Sequence, residues 1–213
     1  MAGLTRPIAE ETPLEETLAA VTATAVSLIA GIDYADVMLV DHGEFESIAP
    51  TDPLVSDLDA LQLRLQQGPC LQAAVGEEVI RCPDLSHDER WPQFATMAVQ
   101  AGVHSMLSFR LYTHRTGSGA LNLLGRTAHP FGHEDLLVGA MLATHAATAV
   151  LAVNKQRQFE SALASRDVIG QAKGMLMERF NINAVRAFEM MTKLSQDTNT
   201  PLRVIARRIT EVR

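Results

Sequence analysis

The stretch VHSMLSFRLYTHRTGSGALNLL, residues 103–124, decides how the larger part of this sequence folds. Apolar and polar residues alternate along Val103–Leu111, and a period of two is typical of a β-strand. The segment Thr116–Gly119 predicts a tight turn, and Ala120–Leu124 predicts the returning strand. These residues therefore predict an antiparallel hairpin.

Outward from the hairpin, the patterns indicate an α+β domain. Further strands are predicted at Val37–Val40, Phe45–Ala49 and Glu78–Cys82, with shorter helices between them. A first helix carries apolar residues spaced alternately by four and three, namely Leu14, Leu18, Val21, Ala25, Leu28 and Ile32. That stripe fits either a seam with a partner helix or an ordinary helix facing the core. The element order predicts a mixed or antiparallel sheet with flanking helices.

Residues 133–180 contain no proline and predict one long helix, or two helices with a break. The part Leu136–Asn154 has no Asp, Glu, Lys or Arg, which is also expected of a membrane span. Its many Ala and Thr residues favour a buried or dimer-facing helix instead. A second four-three stripe supports a helical partner, with members Leu137, Met141, Thr144, Thr148 and Leu151.

The last 50 or so residues predict a small three-helix unit. Asn183 is placed to cap the second helix, and Thr200 followed by Pro201 predicts the start of the third. On the second helix, Phe188, Met191 and Leu194 are expected to point inward. The shared core is predicted from the first and third helices: Val168, Ile169, Ala172, Leu176, Leu202, Ile205, Ala206 and Ile209.

The formal net charge of the whole chain is −7, which taken alone argues against nucleic-acid binding. This value is an average over two segments of opposite charge. Residues 155–213 hold 11 basic and 6 acidic side chains, a net charge of +5, whereas residues 1–154 carry −12. Such a change of sign is typical of two modules with different partners. The basic end is therefore the candidate nucleic-acid binder.

Residues from about 15 to 153 resemble a GAF domain, a small-molecule sensory module. The resemblance is carried by the element order and by four motifs: Gly68-Pro69-Cys70, Asp84 through Arg90-Trp91-Pro92, Gly102-Val103-His104-Ser105 and Ala120-Leu121-Asn122-Leu123. The resemblance implies a sensor whose ligand the sequence leaves unknown.

Residues 161–213 resemble an ANTAR domain, the RNA-binding module of bacterial transcription antitermination regulators. The matching pieces are Ile169 through Gly174, Leu176-Met177, Ala187-Phe188, Leu194-Ser195, Asn199 and the helix from Leu202 through Ala206. The resemblance implies binding to RNA stem-loops of a nascent transcript and a homodimer, expected to form through 14–32 and 137–151. The expected RNA-binding residues are Arg166, Gln171, Ala172, Lys173, Gly174, Ser195, Arg203 and Arg207.

The residue types in the segment Gln171–Gly174 suit RNA, because a stem-loop offers phosphates and unstacked bases to cations and polar edges. Small residues such as Ala172 and Gly174 would let the RNA approach closely. The alternative is that these two residues only pack helices together and that the arginines only solvate the surface.

Catalysis is not expected of the GAF-like part. Cys70 and His104 suggest a thiol–imidazole pair, but the several cysteines of sulfoxide-reducing relatives are absent. Cyclic-nucleotide-binding relatives are matched at Asn122, Phe131 and Asp135, yet Leu123 and Leu136 depart from their pattern. His104, His129 and His145 are read as structural rather than as haem ligands. No cofactor or metal is expected.

The predicted layout is a polar tail at 1–13, a GAF domain at 14–153, a helical linker at 154–165 and an ANTAR domain at 166–213. No signal peptide is evident, and a cytoplasmic protein with no membrane partner is expected. The alternatives left open are a ligand-responsive DNA-binding factor with a C-terminal helix-turn-helix, and a GAF enzyme with a helical tail.

Overall fold

A computed structural model describes residues 13–41, 44–76, 78–113 and 117–211. The chain divides into two compact units, residues 1–151 and 152–213. The polar tail expected at 1–13 lies outside the described residues except for Pro13, which begins the first helix. The expected boundaries between domain, linker and RNA-binding unit stay predictions.

The first unit is built on a five-stranded sheet with the order β2-β1-β5-β4-β3, in which every pairing is antiparallel. The strands are β1 (Tyr34–Asp41), β2 (Glu44–Ile48), β3 (Val79–Cys82), β4 (Ser105–Thr113) and β5 (Gly117–Gly125). The predicted α+β class and hairpin are therefore confirmed.

The turn predicted at Thr116–Gly119 is misplaced. Gly117, Ser118 and Gly119 belong to β5, where they pair with Asp41, Val40 and Leu39 of β1. The prediction considered only the local glycine pattern, whereas pairing with the distant strand β1 keeps this segment extended. Thr116 itself lies outside the described residues, as do His42 and Gly43 between the strands predicted at Val37–Val40 and Phe45–Ala49.

One face of the sheet is covered by α1 (Pro13–Leu28) and by the beginning of α5 (His133–Phe180). Val37, Leu107, Phe109, Leu121 and Leu123 pack there against the two helices. From α1 the buried residues are Leu18, Val21 and Ala25, so its stripe faces the core of its own chain. The structure therefore confirms the interpretation of this stripe as an ordinary core-facing one. Leu28 is the one member of the stripe that is largely exposed.

The other face is covered by α2 (Pro53–Leu65), α3 (Pro69–Val75), α4 (Pro92–Gln100) and a short 3₁₀ turn at Leu85–His87. Ile80, Met106, Ala120 and Leu124 meet side chains of these helices in a second core. Because both faces are covered, both sets of alternating residues in β4 are buried, with Leu107 on one side and Met106 on the other.

Within the described part of the chain, α5 is the one helix with a stretch long and apolar enough to span a membrane. Length and composition are weak evidence, since core helices pass the same test. Here Ala143, Ala146 and Val150 pack against the sheet in the first core. The structure thus buries one side of this stretch against the sheet, and the dimer-facing alternative stays a prediction. The other stripe, represented by Leu137 and Met141, is exposed.

The second unit contains the end of α5 together with α6 (Ala184–Asp197) and α7 (Leu202–Glu211). Asn183 caps α6 as predicted, its side chain accepting from the Arg186 amide. The core is small: Ala172, Met191 and Ala206 are buried, and the residues packed against them are Val168, Ile169, Leu176, Leu202 and Ile209. The predicted core residues of α5 and α7 are therefore confirmed.

Gly139 supplies a test of how closely α5 packs on the sheet. A Cβ atom at Gly139 would collide with the ring of Phe109, whereas a Cβ at Gly170 of the same helix meets nothing within 4 Å. We expect Gly139→Ala to lower the free energy of unfolding of the first unit by about 1–3 kcal/mol through overpacking. Urea titration monitored by circular dichroism measures the effect.

Gly170→Ala is the matched control and should stabilise its unit by up to about 1 kcal/mol, since alanine is the better helix former. Equal effects of the two substitutions would contradict the close packing of α5 against Phe109.

Candidate RNA interface and buried polar cluster

An open groove in the second unit brings two of the expected RNA-binding residues together. Arg203 and Arg207 of α7 line it, together with Ser161 and Ser165 of α5, and its volume is about 400 Å³. The two arginines are four residues apart, so they lie on one side of α7 and both are exposed. Ser161 and Ser165, which fall in the segment expected to be a linker, were not among the predicted site residues.

Ala172 does not reach the surface. It is fully buried against Met191 and Ala206, so direct contact with RNA is wrong for this residue, and the packing alternative holds. The sequence favoured RNA contact at Ala172 because a small side chain lets a partner approach the helix closely. In the bundle the same small size lets α6 and α7 approach α5.

Gln171 and Lys173 lie on opposite sides of Ala172, each about 100° around the helix from it. Gln171 is exposed and Lys173 is half-buried. The four residues Gln171–Gly174 therefore do not form one contact surface, because three consecutive side chains of a helix point in three directions. Gly174 is exposed, and a Cβ there would meet nothing within 4 Å.

Arg166 lies on the same side of α5 as Lys173, one heptad earlier, and is exposed. Neither residue lines the groove that holds Arg203 and Arg207. Each of the four cations is therefore available to solvent, but the structure brings only the α7 pair together in a concave site.

Ser195 closes the turn between α6 and α7. Its hydroxyl donates to the carbonyl oxygen of Thr200 at 2.6 Å, and the Thr200 amide donates to the Ser195 carbonyl at 3.0 Å. Its local role is thus to fix the start of α7, which carries the arginines. Thr200 does not cap α7 as predicted, because its hydroxyl donates to Thr198 and the helix begins at Leu202.

Two inward positions predicted on α6 are wrong. Phe188 is 45% exposed and Leu194 is 46% exposed, while Met191 is 1% exposed. The inward face of α6 passes through Ala187 and Met191, four residues apart, and Phe188 lies about 100° away from Ala187. Tertiary packing against Ala172 selected this face, and helical spacing alone did not distinguish it.

The first unit contains a second unusual site, a row of buried polar residues across the middle of the sheet. Asp36 of β1 lies opposite Asn122 of β5, which lies opposite Ser108 of β4. All three are fully buried on the face covered by α2 and α3. The Asn122 amide donates to Asp36 Oδ1 at 3.0 Å, and Ser47 of β2 donates to Asp36 Oδ2 at 2.6 Å.

Helix α2 adds Asp59 and Gln62 to this row, and α3 adds Cys70. The Gln62 amide donates to Asp59 at 3.2 Å, and the Gln62 carbonyl oxygen accepts from the Cys70 backbone amide at 3.0 Å. Gly68 must be glycine here, since its φ is 141° and a Cβ would strike the Gln62 side chain. The Gly68-Pro69-Cys70 motif thus positions Gln62 and Cys70.

The two carboxyl groups of this polar cluster affect one another. Burial raises the pKa of Asp36, and burial together with the negative charge of Asp36 raises the pKa of Asp59 well above its ordinary value. A proton on Asp59 then bonds the two carboxyls to each other. Burial also raises the pKa of the Cys70 thiol, which therefore lacks the thiolate character of a reactive cysteine.

With both carboxyl groups ionised, three cluster atoms have no hydrogen-bond partner among the described residues, namely Asp59 Oδ2, Ser108 Oγ and Asn122 Oδ1. Each such buried atom costs about 1–3 kcal/mol of stability. No sequence pattern predicts this cluster, since Asp36 and Asp59 lie on different elements and their side chains meet only after α2 packs on the sheet.

His129 takes part in packing and local bonds together with Phe131 and Asp135, two of the residues compared with cyclic-nucleotide sites. His129 bonds Asp135 at 3.1 Å and contacts the ring of Phe131, which is buried in the first core. His145 is exposed on α5. Within the described residues no group of three His, Cys, Asp or Glu side chains has the geometry of a metal site.

Comparison with known families agrees with this division into two units. The GAF domain model matches residues 11–151 and the ANTAR domain model matches residues 157–209. The chain belongs to the GAF family and continues into an ANTAR domain. Both are regulatory domains. No curated protein matches the chain.

Solved structures show the same fold at low identity. A GAF domain from Synechocystis in its photoproduct state has a TM-score of 0.55 at 14% identity, covering 68% of this chain and 98% of that chain. Free methionine-R-sulfoxide reductase from Neisseria meningitidis, in complex with its substrate, has a TM-score of 0.52 at 18% identity, covering 70% of this chain and 84% of that chain. SdiA from Escherichia coli has a TM-score of 0.53 at 15% identity, covering 93% of this chain and 90% of that chain.

The shared proton in the polar cluster has a measurable consequence. A raised pKa in the folded state means that the folded protein holds this proton more tightly than the unfolded chain. The stabilisation is present in full below the ordinary value of 3.8 and is lost as the pH rises through the folded-state pKa. Asp59→Asn removes the titration, since an amide can donate to Asp36 at any pH.

We therefore expect the stability of the wild type relative to Asp59→Asn to fall as the pH rises from about 4 to 8, measured by urea unfolding at a series of pH values. Asp57→Asn, on the exposed side of the same helix, is the matched control. A pH-independent difference for Asp59→Asn would contradict the shared proton.

Proposed function

We propose that this protein is a signal-responsive regulator of transcription antitermination that binds RNA stem-loops through its ANTAR domain. The observation that carries the proposal is the groove in which Arg203 and Arg207 lie beside two serine hydroxyls. Guanidinium groups bind phosphate through paired hydrogen bonds, and the Ser161 hydroxyl adds a further donor. The Ser165 hydroxyl already donates to the Ser161 carbonyl oxygen at 2.7 Å, so it is left as an acceptor for the ribose. A concave cationic groove on a small helical unit suits the folded backbone of a hairpin better than an isolated charge does.

The charge of the two domains supports this assignment. The net charge of +5 lies in residues 155–213, and the −12 of residues 1–154 would repel phosphate. Arg166, Gln171, Lys173 and Gly174 are further, more peripheral candidates, since they are outside the groove. Binding of a hairpin would disfavour a competing terminator stem and let transcription continue.

In this proposal the GAF domain receives a small-molecule or protein signal and changes the availability of the ANTAR domain. A ligand shifts such an equilibrium only through its different affinity for the two states. The protein acts on nascent transcripts, so we place it in the cytoplasm with no membrane partner. It uses no cofactor and catalyses no reaction in this role.

A homodimer belongs to the same proposal, because paired hairpins call for two ANTAR domains. The α5 stripe of Leu137, Met141, Thr144, Thr148 and Leu151 is exposed and is available for a second copy. The α1 stripe is not available, since it is buried in the core of its own chain.

The RNA proposal is tested with the full chain, a pool of hairpin RNAs with randomised loops and a DNA duplex of equal length. We expect retention of hairpin RNA in gel shifts. Arg203→Ala and Arg207→Ala should each weaken binding roughly tenfold, as loss of one charge-assisted bond requires. Each should also reduce the salt slope by about 0.7–0.9, the contribution of one phosphate contact.

Lys193→Ala, an exposed cation on α6 outside the groove, is the control and should bind nearly as the wild type does. Preference for the DNA duplex would overturn the antitermination proposal in favour of the DNA-binding alternative. Equal losses for Lys193→Ala and the two arginine variants would show that the groove has no special role.

A further inference from the structure

A second groove of the helical unit, here called the apolar groove, lies where the end of α5 meets α6 and α7. Its volume is about 770 Å³, in the range of sites that bind organic ligands. Ile205 is buried there, whereas Phe180 is 53% exposed and Leu194 is 46% exposed. The apolar side chains that line the groove are Met175, Leu176, Phe180, Leu194, Ile205 and Ile209.

The position of Phe180 is set by the way α5 ends. Asn181 has a φ of 51°, the left-handed conformation that terminates many helices and that asparagine adopts more readily than most residues. The Ile182 amide donates to the Met177 carbonyl oxygen at 3.2 Å, which is the bond expected of a Schellman motif. The helix therefore stops at Phe180 in a defined geometry and presents this side chain at the apolar groove.

Two arginines and one glutamate also line the apolar groove. Arg179 of α5 and Arg208 of α7 are exposed, and none of the ion pairs found among the described residues uses either guanidinium. A guanidinium binds phosphate or lies flat against a nucleobase, and the Glu178 carboxylate can accept from an N–H group on a base edge. An entirely apolar partner would leave these three charges without a match.

Helix α7 separates the apolar groove from the groove that Arg203 and Arg207 line. Arg207 and Arg208 are adjacent in the sequence, so their side chains lie about 100° apart around α7 and reach the two grooves on either side of it. A stem-loop also offers two kinds of surface, the phosphate backbone of its stem and the unstacked bases of its loop. The groove with two arginines and two serines suits the first surface, and the apolar groove suits the second.

We propose that the apolar groove binds unstacked loop bases of the RNA hairpin, with one base stacked on the ring of Phe180 and the adjoining phosphate bound by Arg179 or Arg208. Bases stack on aromatic side chains whatever their identity, because every base has a flat π-face. This inference rests on the proposed function and adds to it the site that holds the loop.

The test combines a protein variant with a modified RNA in gel shifts of the full chain. The RNA is a hairpin recovered from the randomised-loop pool, with each loop position made abasic in turn. Removing the contacted base should weaken binding roughly tenfold, and Phe180→Ala should weaken binding of the intact hairpin by a similar factor. The two changes together should cost no more than either alone, because both remove the same stacking contact.

Phe188→Ala is the matched control, since this ring is 45% exposed on α6 but does not line the apolar groove. It should bind as the wild type does. Phe180→Tyr keeps an aromatic ring and should also retain binding, which separates lost stacking from lost folding. Phe180→Ala should leave the salt slope unchanged, whereas Arg208→Ala should reduce it by about 0.7–0.9 if Arg208 binds the phosphate. An unchanged slope for both Arg179→Ala and Arg208→Ala would contradict the phosphate contact.

Additive losses at every loop position would overturn the inference, and so would equal binding by Phe180→Ala and Phe188→Ala. The apolar groove would then be left to a different occupant, such as an amphipathic peptide. The RNA proposal would survive either result, because it depends on Arg203 and Arg207. Failure of the wild-type chain to retain any hairpin would overturn both.

Discussion

The position of β5 between β1 and β4 is the constraint on which the first unit depends. As the central strand of an antiparallel sheet, β5 has its backbone bonded on both sides, to β1 through Tyr34–Asp41 and to β4 through Ser105–Thr113. Its side chains alternate, so Leu121 and Leu123 reach the core under α1 and α5, whereas Asn122 and Leu124 reach the face under α2 to α4. The register of this one strand thus determines what each layer of helices can bury.

On the second face that register has an energetic cost. It places Asn122 beside Asp36 and Ser108 in the interior, where an apolar residue would be the more stable choice. Ser47, Gln62 and Cys70 offset part of the cost through hydrogen bonds, and a proton on Asp59 offsets another part. A buried polar network specifies a unique core when every member is satisfied, whereas three atoms of this cluster have no partner among the described residues.

The second unit differs from the first in how little of it is buried. Its buried core is small, and several large apolar side chains remain at its surface, among them Phe159, Leu163, Phe180 and Phe188. A unit of this size gains little stability from its own core. Its surface accordingly combines exposed apolar side chains with the groove that Arg203 and Arg207 line.

The sequence by itself determined the α+β class, the order of the elements, the core of the small helical unit and the division of charge near residue 155. These follow from periodicity, caps and composition, which act between residues close in the chain. Tertiary structure decided the rest. Pairing with β1 turned Gly117–Gly119 from a turn into strand, and packing buried Ala172 while leaving Phe188 exposed. The Asp36–Asp59 pair and the groove of Arg207 with Ser161 likewise join residues from different elements. Local patterns specify which faces a helix or strand has, but only contact with a distant element selects the face that is buried.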